Sequence, residues 1–62
     1  MTATEMFNTM VADGTCTREY IDTFFAALAT DTLENQEAMT LIPNDWGTEY
    51  TTVNGDLIKV EG

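Results

Sequence analysis

Apolar residues recur at helical spacing in the first half of the chain and at strand spacing near its end. Ala3, Met6, Phe7, Met10 and Val11 fall at i, i+3, i+4, i+7 and i+8, the stripe a helix turns toward a core. Thr2 with Glu5 three residues on has capping-box spacing and predicts the start of that helix, and Asp13-Gly14 predicts its stop. A second helix, capped by Thr15 or Thr17, is predicted from Tyr20, Ile21, Phe24, Phe25 and Leu28 on one stripe.

The pattern then weakens. Asp31 with Glu34 repeats the capping signature and suggests a short third helix through Glu37 or Met39, yet the apolar spacing there is poor. Met39-Thr40-Leu41-Ile42 reads equally as an extended segment, because Pro43 pushes Ile42 away from helical dihedrals. Residues 31–42 are therefore open between helix and strand. Pro43-Asn44-Asp45-Trp46-Gly47 predicts a turn or loop.

Beyond it, Glu49-Tyr50-Thr51-Thr52-Val53 and Asp56-Leu57-Ile58-Lys59-Val60 flank Asn54-Gly55, a strong hairpin signal. A two-residue type I′ turn would pair Val53 with Asp56, Thr51 with Ile58 and Tyr50 with Lys59. A lone hairpin is marginal in water, so a Leu57, Ile58 or Val60 face must pack on the helices, or a third short strand must join it. The predicted fold is α+β: one small acidic domain, residues 1–62, with two or three short helices on a C-terminal β-hairpin.

Charge changes the picture from fold to function. Eleven Asp and Glu against one Arg and one Lys leave a formal net charge of -9. A surface this negative repels phosphate backbones and anionic lipid headgroups and attracts cationic protein patches. Nucleic acid and membrane are not the expected partners; a basic surface on a larger protein is. The apolar content, 44%, is that of a folding chain rather than a disordered acidic tail.

Inventory argues against catalysis. Histidine and serine are absent, and single Cys, Lys and Arg residues remove the Ser-His, Cys-His and phosphate-clamp arrangements. No EF-hand loop or Cys/His set points to a metal, and no cofactor is expected; Asn44, Asp45 and Glu49 around the predicted turn are the nearest approach to an oxygen-ligand cluster, and they read more simply as turn formers and a strand end. Cys16 beside Arg18 is either a thiol with lowered pKa or a small residue partly buried in the interhelical turn. A single cysteine, an N-terminus with Glu5 and no base, and no long apolar run fit a soluble cytoplasmic protein.

The remaining candidates are the acids and one aromatic. Glu19, Asp22, Asp31, Glu34, Glu37, Asp45 and Glu49 are expected to face solvent. Trp46 either covers the core or serves as an interface anchor. The sharp reading is an inhibitor or modulator that occupies a basic, nucleic-acid-binding surface as a mimic of DNA. A globule of this length spans roughly 27 Å, along which duplex DNA presents about eight phosphates to one face. Eleven acids spread evenly would offer about five or six, so mimicry requires clustering. The alternative is a structural, assembly or adaptor module, such as a homodimer, with an apolar interface and acids that serve solubility.

Overall fold

The computed structural model describes residues 1–61. Helix α1 (Ala3–Asp13) is opened by the predicted capping box: the Glu5 N–H donates to Thr2 Oγ1, and the Thr2 N–H and hydroxyl donate to Glu5 Oε1, each at 3.1 Å. It is closed by Gly14 in the left-handed region at φ 71°, whose N–H bonds the Met10 carbonyl at 2.8 Å. Strand β1 (Thr15–Thr17) follows at once, and helix α2 (Arg18–Ala29) starts with Thr17 as its N-cap, the Tyr20 N–H donating to Thr17 Oγ1.

Helix α3 (Leu33–Ala38) and strand β2 (Leu41–Asn44) share the segment that the sequence left open. The cap of α3 is Thr32, not Asp31; Asp31 instead accepts from the Thr32 N–H at 2.7 Å and from Asn35 Nδ2 at 2.8 Å. No residue of α3 is buried, which accounts for its poor apolar period. A short left-handed turn (Asp45–Gly47) leads to β3 (Glu49–Thr52) and β4 (Leu57–Glu61).

The four strands form one mixed sheet in the order β1-β4-β3-β2, with β2-β3-β4 an antiparallel meander and β1 parallel to β4. The α+β expectation holds, but the sheet has two strands beyond the hairpin rather than at most one. Each covers an edge the hairpin would leave bare. Pro43 in β2 is tolerated because β2 is an edge strand.

The predicted hairpin register is corrected by one residue. Tyr50 pairs with Ile58 and Thr51 with Leu57, and the loop has three residues, with the Gly55 N–H donating to the Thr52 carbonyl and Gly55 at φ 93°. Asn54 has no positive φ, which rules out type I′; the geometry matches a type I turn followed by a left-handed glycine. The shift decides which side chains face inward, because a one-residue slip reverses every side chain of a strand. Tyr50, Thr52, Ile58 and Val60 are drawn into the core side, while Leu57 is 54% exposed.

Both long helices cover that inner face. Met6 and Met10 of α1, Ile21 and Phe24 of α2, and Met39, Leu41 and Ile58 make a buried core, with Phe24 wholly inaccessible. Aromatic rings run from it toward the sheet: Phe7 to Phe24 at 6.1 Å, Phe24 to Phe25 at 5.7 Å, and Phe25 to Tyr50 edge-on at 5.8 Å. Among the described residues no helix is long and apolar enough to cross a membrane.

Candidate functional site

Strand direction divides the surface into two ends. The Asn54-Gly55 turn closes one end, where α3 leads into β2; Asp31, Glu34, Glu37 and Asp56 lie there with the exposed Leu33. The Asp45–Gly47 turn closes the other, where α2 begins and β4 finishes, with Arg18, Glu19, Asp45, Glu49 and Glu61. Lys59 pairs with Glu49 toward this second end, so both bases of the chain lie away from the α3 end.

The predicted acids thus fall on four elements, α2, α3 with its cap, the Asp45–Gly47 turn and β3, rather than on one face. Glu19 and Asp22 stand exposed on the outer side of α2, Glu34 and Glu37 on α3, and Asp45 at the turn. Two of the set are not freely solvated. Asp31 is half-buried and holds the start of α3 through its two hydrogen bonds, and Glu49 is half-buried in β3.

The Asp45–Gly47 turn has unusual backbone geometry. Asp45, Trp46 and Gly47 have φ of 42°, 65° and 80°, three consecutive residues on the side that L-residues avoid. Left-handed backbone costs roughly 1 to 2 kcal/mol for a residue such as Trp46 and less for Asp45, whose short polar side chain tolerates it. The conformation is held from outside. Arg18 Nη2 donates to the Gly47 carbonyl at 3.0 Å, the Thr48 hydroxyl donates to the Asp45 carbonyl at 2.8 Å, and the Val60 N–H donates to the Thr48 carbonyl at 2.8 Å.

The result is a tryptophan that is 103% exposed. Trp46 does not cover the core. Leaving so large a side chain in water forgoes roughly 2 to 3 kcal/mol of burial free energy. The open face of the sheet adds a smaller apolar feature: Ile42, Thr51 and Leu57 form one row across β2, β3 and β4, with Ile42 52% exposed.

An open cleft of about 260 Å³ borders β1, lined among others by Asp13, Thr15, Cys16 and Glu61. Burial pushes the Cys16 thiol up; the Arg18 charge pulls it down by less, and Glu61 adds to the rise. The lowered-pKa alternative for Cys16 is corrected accordingly: the group is a protonated thiol at neutral pH, a poor nucleophile and a poor metal ligand. Thr15 Oγ1 is buried beside it without a hydrogen-bond partner among the described residues. Among the described residues no group of three or more His, Cys, Asp or Glu is placed to hold a metal ion, and Asn44 instead donates to the Thr51 hydroxyl.

No family model matches the chain, and neither a curated protein nor a solved structure matches it.

Proposed function

We propose that this chain is a small acidic cytoplasmic binding protein, an inhibitor or modulator that occupies a basic surface of a larger protein. The observation that carries the reading is the α3 end. Exposed Glu34 and Glu37 stand with Asp31 and Asp56 at an end that contains neither Arg18 nor Lys59, in a chain of net charge -9. Such an end steers toward cationic patches, including those that bind nucleic acid, at rates that fall as salt rises.

The test is a pull-down from lysate at low and high salt, with bound proteins identified and duplex DNA added as competitor. Capture of a basic protein that is released by salt and displaced by DNA is expected. Charge reversal by Glu34→Lys with Glu37→Lys is expected to slow association and flatten its salt dependence without unfolding the domain. Equal capture by that variant would defeat the reading.

A structural or assembly role is favoured by one different observation, the half-exposed Ile42 and Leu57 in a single row of the open sheet face. A complex made there holds or tightens as salt rises, so the same salt series separates the two.

A further inference from the structure

We propose that the Asp45–Gly47 turn is a preformed knob whose Trp46 inserts into an apolar socket, rimmed by Lys or Arg, on the partner protein. This rests on the reading of the chain as a binder of basic surfaces and adds to the acidic α3 end a second, apolar contact at the opposite end of the molecule.

Three observations converge on it. Trp46 is 103% exposed although tryptophan is the side chain most often found as an energetic anchor in protein interfaces. Its backbone occupies the left-handed region at φ 65° and ψ 22°, a conformation that persists only where surrounding contacts impose it. Those contacts are present. Arg18, one of two bases in the chain, spends its guanidinium on the Gly47 carbonyl, and Thr48 bonds the Asp45 carbonyl through both its N–H and its hydroxyl. A braced backbone presents the indole from a fixed Cα, so the turn itself need not be ordered on docking, which is the usual advantage of a preorganised anchor.

Charge selects the occupant. Asp45 adjoins the indole in sequence, and Glu19, Glu49 and Glu61 lie at the same end, four carboxylates against Arg18 and Lys59. A second copy of this chain would bring an equally negative end against it. A cationic rim instead pairs with the carboxylates and lies against the exposed indole face. Arg18 is a positioning residue in this arrangement, acting through the Gly47 carbonyl.

Trp46 is the only tryptophan in the chain, so its fluorescence reports directly. The full chain is titrated with three synthetic peptides of equal length: alternating Lys and Leu, alternating Lys and Gly, and alternating Glu and Leu. The Lys/Leu peptide is expected to shift the emission to the blue, protect the indole from acrylamide, and bind about tenfold or more tighter than Lys/Gly. Trp46→Ala, followed by the change in Tyr fluorescence or by calorimetry, is expected to remove that difference while keeping the weaker Lys/Gly binding. Arg18→Gln is expected to keep the melting temperature within a few degrees, speed the local depolarisation of Trp46 and weaken Lys/Leu binding severalfold.

Equal binding of Lys/Leu and Lys/Gly, or an unchanged difference in Trp46→Ala, overturns the anchor and leaves the basic-surface reading intact. Failure of both cationic peptides to bind overturns the two together. Tighter binding of Glu/Leu, or a Trp46-dependent dimer in sedimentation, overturns the cationic socket in favour of an acidic partner or a second copy.

Discussion

Trp46 gains nothing from burial and spends strain to stay where it is, so its removal separates stability from binding. Trp46→Gly suits φ 65° without penalty and loses only the rigidity that a non-glycine residue gives the unfolded chain. These effects oppose each other, and stability is expected to stay within about 1 kcal/mol in a denaturant melt. A loss of 3 kcal/mol would show the indole packed against the fold. Cys16 supplies the second test at this scale. Its folded pKa is raised by burial, so its stabilising contribution is complete below the ordinary thiol range and is lost as pH rises through the folded value. Iodoacetamide is therefore expected to react more slowly with the folded protein than with the urea-unfolded chain between pH 7 and 9. Faster reaction of the folded form would mean that Arg18, not burial, controls the thiol. Neither result was legible in the sequence. Asp-Trp-Gly marks a turn, but only the backbone dihedrals decide that the indole points outward, and Cys16 beside Arg18 supports opposite shifts until its burial is known.

At the scale of elements, what was legible is what is local. Caps and helical periodicity are set within one or two turns, and α1 and α2 follow from Thr2, Glu5, Gly14, Thr17 and their apolar stripes. The Glu5 carboxyl is held below its usual range chiefly by the Thr2 backbone N–H, then by the Thr2 hydroxyl. The sign is that of a depressed acid: its stabilisation is present above the ordinary carboxylate range and disappears as pH falls through the folded value. The stability gap between the parent and Glu5→Ala is expected to narrow on acidification from pH 7 to 3, and a gap independent of pH would remove the charged cap from the account. The strands were harder to see because their partners are distant. β1 has three residues, too few to show a period, and acquires its identity from β4; β2 carries a proline that fits only because it is an edge. Asn54-Gly55 announced a hairpin correctly and its register incorrectly, since burying Tyr50 and Ile58 on one face outweighed the preference for a two-residue turn. Gly55 sits at φ 93° with open space where a Cβ would go, so the cost of Gly55→Ala is backbone strain alone, expected at about 1 to 2 kcal/mol. No change in the melt would argue that the loop adopts another conformation.

For the whole molecule, charge was legible as an amount and not as a distribution. The sequence states eleven acids; only the packing of α3 against α2, at the end where β2 begins, shows that Glu34 and Glu37 stand apart from both bases. The molecule measures 27 × 22 × 21 Å, and that size sets how the acids act on one another. At 0.01 M ionic strength the screening length is about 30 Å, longer than the protein, so every carboxylate repels every other; at 0.15 M it is about 8 Å, and only neighbours interact. Folding concentrates these charges, and their repulsion opposes it most in dilute buffer. The melting temperature is therefore expected to rise steeply from 10 to 150 mM sodium chloride and level off beyond, a curve unlike the steady rise that salts produce by strengthening apolar burial. Glu34→Gln with Glu37→Gln removes two unit charges from the least compensated end, so it is expected to raise the melting temperature in 10 mM salt and reduce the salt response. A flat or falling curve in the low-salt range would mean that the acids are already compensated within the fold, and the force proposed to draw the α3 end onto a basic partner would be missing.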